Sequence, residues 1–151
     1  MDKESALLQR LGQEGGVVEI CVKSTTLRDW QAAVDGLLAS GYPMKFSVHG
    51  KPAALNLGAD TFGKSFDSVY SLEVAVGAQV WTTDFVGVDL IDFQCSPHLI
   101  SDPTEIQHLS EFMRNIAASV RKLVEFIPET VHPDHVKPYA QVDVQGVFTL
   151  R

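Results

Sequence analysis

Residues 102–122 carry the clearest pattern in the chain, an apolar stripe in which hydrophobic residues recur every three or four positions. This spacing places the apolar residues on one face of a helix. Asp102 stands before the stripe as an N-cap, Pro103 occupies the first helical position, and Glu105 is placed to complete a capping box. The segment therefore predicts a helix that begins after Asp102 and buries one face.

Two shorter helices are predicted nearer the amino terminus. Residues 3–13 place three leucines on one side and are followed by a pair of glycines. Thr26 is a suitable N-cap for the next helix, which has apolar residues at helical spacing and ends before Gly41.

The rest of the chain alternates apolar and polar residues with the period of two that is typical of β-strands. The elements run α-β-α-β-β-β-β-β-α-β-β-β with mostly short connections. Consecutive strands favour antiparallel pairing, so we expect one α+β domain over residues 1–151, a mainly antiparallel sheet with two or three helices packed on it. The predicted strands are residues 17–23, 44–49, 53–57, 68–76, 79–85, 88–95, 123–127, 139–144 and 147–150.

The predicted strand at residues 88–95 has a distinctive pattern. Ile91, Phe93 and Cys95 suit a core face, which sends Asp92 to the other face. Apolar residues occur on both faces near the start of the strand, and this predicts a central position in the sheet.

Composition limits the classes of function. The chain has 151 residues, 45% of them apolar and 21% charged, which is enough for one hydrophobic core. No apolar run approaches the roughly 20 residues of a membrane span, and acids among the first residues argue against a signal peptide, so we expect a cytoplasmic protein without membrane association.

Cys21 and Cys95 both lie in strand patterns. Buried free thiols at these positions fit a reducing compartment, and a disulfide between the two cysteines is the alternative that the sequence leaves open.

The net charge of −7 is concentrated in one third of the chain. Residues 65–113 contain eight acids and no lysine or arginine. An acidic surface repels nucleic acid and attracts basic proteins. Two interpretations stay open: a binding surface for a basic partner, and a solvated acidic face that maintains solubility.

A phosphate-binding pattern, G-x-x-x-x-G-K-[ST], occurs once, with Gly58, Gly63, Lys64 and Ser65 at its defining positions. Such a loop needs a strand before it and a helix after it, so that backbone N–H groups face the phosphates. A strand can precede this loop, but a second strand pattern stands where the helix should follow. A surface loop is the favoured interpretation, and a nucleotide-binding protein is the alternative function.

Other candidate chemistry is weaker. Cys95, His98, His132 and His135 have donor atoms that suit zinc, but the last two lie in a proline-containing loop rather than one turn apart on a helix. There is no G-x-S-x-G, and neither cysteine lies in an electropositive context that would lower its pKa. We therefore expect no metal, no other cofactor, and a protein that is not an enzyme.

One block of the chain carries a family resemblance. Its parts are a strand ending Asp92-Phe93, the segment Ile100-Ser101-Asp102-Pro103-Thr104-Glu105, a helix with Leu109-Ser110-Glu111-Phe112-Met113, and a strand ending Ile127-Pro128-Glu129. This order resembles that of the small acidic immunity proteins encoded beside bacterial polymorphic toxins. The resemblance implies a cytoplasmic inhibitor that binds and neutralises one cognate toxin domain.

A partner surface follows from the resemblance and the charge pattern together. Toxin domains that act on nucleic acids are often basic, so we expect the outward acids of the middle strands to contact the partner. These are Glu73, Asp84, Asp89 and Asp92, with Trp81 as an aromatic anchor if it faces the same way. A ligand-binding or scaffold domain with an acidic surface is a third interpretation.

Overall fold

The structure, a computed structural model, describes residues 1–62, 70–130 and 132–151. Over these residues it contains three α-helices and a nine-stranded antiparallel sheet, so the predicted α+β fold is confirmed. The helices are α1 (Lys3–Gly12), α2 (Leu27–Ala39) and α3 (Pro103–Val120). The strands are β1 (Val18–Lys23), β2 (Met44–Val48), β3 (Lys51–Pro52), β4 (Tyr70–Val76), β5 (Gln79–Thr83), β6 (Leu90–Cys95), β7 (Val124–Pro128), β8 (Ala140–Val142) and β9 (Phe148–Leu150).

The sheet has the strand order β3-β2-β4-β5-β6-β1-β7-β8-β9, and its neighbouring strands are antiparallel. β6 is the central strand, as its sequence pattern predicts. β1 lies between β6 and β7, although both follow it at a long distance in the chain. Within the described residues, β5 and β6 share one register pair, Thr82 opposite Gln94, so the ladder between these two strands is short.

The predicted strand at residues 53–57 is wrong. β3 ends at Pro52, the Ala53 N–H makes the last hydrogen bond to β2, to the Phe46 carbonyl at 3.0 Å, and the residues after Ala53 form a loop. Proline has no N–H to donate to a neighbouring strand. Leu55 and Leu57 instead pack against the core from a loop, so their alternation reflects burial without strand pairing.

Helices α2 and α3 pack on one face of the sheet, which we name the helix face. The Trp30 ring of α2 lies 6.3 Å from the Phe93 ring of β6, and the Phe112 ring of α3 lies 5.8 Å from that same ring. We name the opposite face the open face. Among the helices in the described parts of the chain, none combines the length and the apolar character needed to span a membrane.

The start of α3 is capped as predicted, but by one half of the expected capping box. Asp102 Oδ1 accepts a hydrogen bond from the Glu105 backbone N–H at 2.9 Å. The Glu105 carboxylate, predicted to return to the cap, is instead buried against the turn between β4 and β5. There it accepts hydrogen bonds from the Ala78 N–H at 3.1 Å and from the Gln79 side-chain amide at 3.0 Å. Glu105 therefore joins α3 to the sheet.

Replacing Asp102 by alanine is expected to lower the free energy of unfolding by about 1 kcal/mol, because the first turn of α3 loses both its cap and a favourably placed negative charge. Chemical denaturation measures the change. Asp102→Asn keeps the capping oxygen and should stay within a few tenths of a kcal/mol of the unsubstituted chain. An unchanged midpoint for Asp102→Ala would show that the cap does not stabilise the helix.

Candidate functional site

The open face is the polar face of the sheet, because strand alternation sends every second side chain away from the helices. The register places Glu73 of β4, Thr82 of β5, Gln94 of β6 and Glu19 of β1 next to one another in a row across four strands. Lys45 of β2 extends this row beyond Glu73. This row of the open face therefore presents hydrogen-bonding and charged side chains, and not the apolar side chains that would pack against a second layer of helices.

Four of the five predicted partner-binding residues share the open face. Glu73, Asp84 and Asp89 are exposed, and Asp92 is half-buried. Asp84, Asp89 and Asp92 line a common cavity, while Glu73 lies on the far side of β5 from them. The structure thus brings three of these carboxylates together and places the fourth on the same face.

Trp81, the fifth predicted residue, cannot be an anchor for a partner on the open face. Its side chain is 0% exposed and packs against the Phe112 ring at 5.9 Å. Its Nε1–H donates to Gln79 Oε1 at 3.0 Å. β5 directs Trp81 toward α3, while Val80 and Thr82 point to the open face, so the proposed anchor is corrected to a core residue.

The acid-rich run does not form one continuous patch. Asp102 caps α3, Glu105 is buried, and Glu111 lies on the exposed side of the same helix. Asp67 lies outside the described residues. The acids of this run that reach the open face belong to β4, to β6 and to the loop between β5 and β6.

A cavity of about 230 Å³ opens beside the short ladder between β5 and β6. Asp84 and Asp89 contribute carboxylates from the connecting loop, and Asp92 contributes a third from β6. Trp30 lines the cavity from α2, on the helix side of the sheet. No lysine or arginine occurs among the described residues that line it. The cavity therefore combines a negative potential with an aromatic wall.

The loop between β5 and β6 is held in place at both ends. Thr25 donates its backbone N–H to the Asp89 carbonyl at 3.2 Å and its hydroxyl to the Val88 carbonyl at 2.8 Å. Phe85 is buried with a φ of 53°, in the left-handed region that a bulky side chain rarely adopts, and its ring lies 5.2 Å from that of Trp30. Insertion of Phe85 into the core leaves Asp84 at the surface.

Asp92 lies in an acidic and partly desolvated environment. It is paired in register with Cys21, whose thiol donates to Asp92 Oδ1 at 3.7 Å, and Glu19 lies two residues before Cys21 on the same strand. Burial, followed by the Glu19 carboxylate, raises the pKa of Asp92 to about 7. Burial and the nearby acids also raise the pKa of Cys21, so this cysteine is a neutral thiol at physiological pH.

Replacing Asp92 by asparagine is expected to raise the free energy of unfolding above pH 7 by about 2 kcal/mol. Because its pKa is raised from 3.8 to about 7, folded Asp92 holds a proton that the unfolded chain has lost. Its contribution to stability is therefore complete below pH 4 and is lost as the pH rises through 7. Denaturation from pH 4 to pH 8 tests the change, with the exposed Asp84→Asn as control. If the free energy of unfolding fell equally with rising pH in the Asp92→Asn and Asp84→Asn variants, the pH dependence could not be assigned to Asp92.

Part of the open face is covered by the loop that follows β7. The Thr130 N–H donates to Glu19 Oε2 at 3.1 Å, and Asp134 forms an ion pair with Lys23 at 2.7 Å. Glu19 is consequently only 4% exposed. The accessible acids lie on the other side of β1, on β4, β6 and the β5–β6 loop.

The phosphate-binding pattern receives no support from the described part of the chain. Gly63, Lys64 and Ser65 lie outside the described residues. Gly58 starts a short 3₁₀ turn, and its N–H already donates to Thr61 Oγ1 at 3.0 Å. The residues before Gly58 form a loop and not the required strand.

The remaining candidates do not assemble a site within the described residues. Cys21 and Cys95 are free, buried thiols on opposite faces of the sheet. The rings of His132 and His135 are 5.3 Å apart. Across residues 1–62, 70–130 and 132–151, no three histidine, cysteine or acidic side chains converge to hold a metal ion.

Sequence reasoning missed Trp30 and Glu19 as parts of the candidate site. Trp30 lies in the apolar stripe of α2, and Glu19 alternates with apolar residues on β1, so each has an adequate local explanation. The cavity between β5 and β6 and the placement of β1 beside β6 depend on pairing between distant segments. The sequence contains no local signal for either.

No protein-family model matches the chain, and no curated protein or solved structure matches it at a significant level.

Proposed function

We propose that this chain binds a basic protein partner through the acidic part of its open face and acts as a stoichiometric inhibitor of the immunity type. One observation carries the proposal: Asp84, Asp89 and Asp92 surround a single cavity that has no basic residue among its described lining. A basic group of a partner that reaches this cavity meets acidic side chains and no lysine or arginine of this chain among the described lining. The fold maintains the arrangement with hydrogen bonds from Thr25 and with a strained Phe85.

Exposed apolar side chains beside the cavity support a protein partner. Val86 is 68% exposed, Val88 is 37% exposed, and Val80 on the adjacent strand is 40% exposed. An apolar patch next to charged groups is the usual composition of a protein–protein interface. The acids would speed association and select the partner, while the valines would contribute buried apolar area.

The class of partner follows from the resemblance to immunity proteins. The residues that carry this resemblance include β6, which contributes Asp92, and α3, which packs against the sheet on the helix face. An inhibitor of this kind needs no chemistry of its own, because a bound protein that covers the toxin's active site is sufficient.

The proposal predicts that the gene for this chain lies beside a gene for a large secreted protein. The test uses the carboxy-terminal domain of that protein, which we name the partner domain. Expressed alone in a bacterial host, the partner domain should stop growth. Co-expression of this chain should restore growth, and the two proteins should co-elute as a 1:1 complex. Persistent growth arrest together with separate elution would overturn the proposal.

A further inference from the structure

Four side chains of β1 and β6 form a square on the open face. The antiparallel register pairs Glu19 with Gln94 and Cys21 with Asp92. Residues two apart on a strand share a face, so Glu19 and Asp92 occupy opposite corners of this square. Glu19 is 4% exposed and Asp92 is half-buried. Two carboxyl groups are therefore held on one diagonal of the square, largely out of solvent.

The strongest hydrogen-bond donors around this square are directed to Glu19. Its Oε2 accepts the Thr130 N–H at 3.1 Å, and its Oε1 accepts the Gln94 side-chain amide at 3.4 Å. Asp92 Oδ1 accepts the Cys21 thiol, a weak donor, at 3.7 Å. The Asp92 and Glu19 carboxyl groups are close enough for a hydrogen bond between them. An ionised carboxylate has no proton to donate, so that bond requires one of the two groups to be protonated.

The pattern of donors assigns the proton to Asp92. Both oxygens of Glu19 accept N–H groups, as the oxygens of an ionised carboxylate do. Burial and then the Glu19 carboxylate also raise the pKa of Asp92. A protonated Asp92 donates to Glu19, which in turn accepts the Thr130 N–H. One chain of hydrogen bonds thus runs from β6 across β1 to the residues that follow β7.

The charged groups around the pair do not neutralise it. Lys23 lies on the same face of β1, but it forms ion pairs with Asp134 at 2.7 Å and with Glu125 at 3.4 Å. The other titratable groups near Asp92 in the described structure are acids and a neutral thiol: Glu19 and Cys21 of β1, Glu125 of β7 beyond Cys21, and Asp84 and Asp89 of the β5–β6 loop. Ionisation of Asp92 therefore places a second negative charge beside a buried carboxylate.

We propose that the Asp92–Glu19 pair is a pH-sensitive switch, in which one shared proton links β6 to Thr130 and loss of that proton breaks the link. When the proton leaves to solvent, the two carboxylates repel each other. Asp92 is the more exposed of the two, so it turns toward the cavity that it lines. Glu19 then loses one of its donors and holds Thr130 less tightly.

The switch also changes the charge of the open face, because ionised Asp92 adds a negative charge to the cavity. Such a charge favours a basic partner, a consequence that rests on the proposed function. The switch itself is tested in the free chain, so its failure can be distinguished from failure of the open face as an interface.

The experiment is an NMR titration of the ¹³C,¹⁵N-labelled full-length chain from pH 5.5 to pH 8.5. The Asp92 carboxyl carbon, the Gln94 side-chain amide and the Thr130 amide should titrate together, with one midpoint near pH 7. Protection of the Thr130 amide, corrected for the intrinsic pH dependence of hydrogen exchange, should fall at least about threefold between pH 6 and pH 8. Absence of a step at Thr130 and at the Asp92 carboxyl carbon in this range would refute the switch.

Asp92→Asn is the matched variant. Asparagine has nearly the same shape as aspartic acid, and its side-chain amide can donate to Glu19 at every pH. The steps at Gln94 and Thr130 should disappear, with both signals remaining close to their positions at pH 6 in the unsubstituted chain. Steps that persist in this variant would show that a different group causes them, which contradicts the proposal.

Glu19→Gln tests the other half of the pair. Glutamine removes the neighbouring charge, and its amide can donate to ionised Asp92, so the midpoint of the Asp92 step should move at least about one pH unit lower. Retained dispersion of the amide spectrum reports that each variant is folded. An unchanged midpoint in the folded variant would show that burial alone sets the titration of Asp92, and a shared proton would be excluded.

Discussion

Replacing Glu105 by alanine is expected to lower the free energy of unfolding by about 3 kcal/mol, because it leaves buried donors without an acceptor. The carboxylate accepts hydrogen bonds from the Ala78 N–H and from the side-chain amide of Gln79, which is 0% exposed. Gln79 in turn accepts the Trp81 indole N–H. Loss of Glu105 therefore disturbs the packing of α3 against β5 as well as two hydrogen bonds.

The same network gives this variant a pH signature. Burial acts to raise the pKa of Glu105, but hydrogen bonds from Gln79, Ala78 and His108 hold it below its ordinary value. The stabilisation is therefore present above the ordinary glutamate pKa and is lost as the pH falls through the lowered value. Urea denaturation at pH 7 and pH 3 should show a large difference between the variant and the unsubstituted chain at pH 7 and a smaller one at pH 3.

The control for Glu105 lies on the same helix. Glu111 is exposed, and Glu111→Ala should change stability by no more than about 0.5 kcal/mol. Equal effects of the two substitutions would mean that the hydrogen bonds of Glu105 contribute little to the stability of the fold.

Reversing two acids of the open face, Asp84→Lys with Asp89→Lys, is expected to slow association with the partner domain by about tenfold or more at low salt. Both residues are exposed, so the lysines can be accommodated in solvent. Asp92 is left unchanged, because it is half-buried beside Glu19 and a lysine there would test folding together with binding. Surface plasmon resonance at low and physiological salt measures the rate, and its salt dependence should weaken in the variant.

A control pair separates local charge from net charge. Asp35→Lys with Glu111→Lys makes the same change in net charge at exposed positions on α2 and α3. This pair should associate within about threefold of the unsubstituted chain, because its charges are remote from the open face and are screened. An equal loss of rate in both pairs would show that only total charge matters.

The order of elements could be predicted from the sequence because each element depends on a local pattern. The stripe of α3 and its cap at Asp102 lie within consecutive residues, and so does the alternation that sends Asp92 away from the core. The central position of β6 was also predicted, but the cover expected on both of its faces is not found: Val88 lies outside the strand and is exposed, and Asp92 and Gln94 face the open side. The short β3 was not, because Leu55 and Leu57 alternate for reasons of packing.

The candidate site was only partly predictable, because it depends on which distant segments meet. Glu73 and Asp92 were correctly assigned to the side of their strands away from the helices, whereas Asp84 and Asp89, predicted on strands, lie in the loop between β5 and β6. The grouping of Asp84, Asp89 and Asp92 around a cavity depends on how β5 and β6 meet. Trp81 was misassigned as an anchor, because β5 has polar residues on both faces and its pattern does not identify the buried side. Glu105 was assigned to the cap because the turn that it reaches is far away in the sequence.

The most direct test of the account is to map which face of this chain touches the partner domain. Cross-saturation from the unlabelled partner domain to the ¹⁵N-labelled chain detects amides at the interface. Binding through the open face predicts intensity losses at Glu73, at Gln94 and through the loop between β5 and β6, with the exposed sides of α2 and α3 unaffected. Losses confined to α2 and α3, with the open face unchanged, would contradict it.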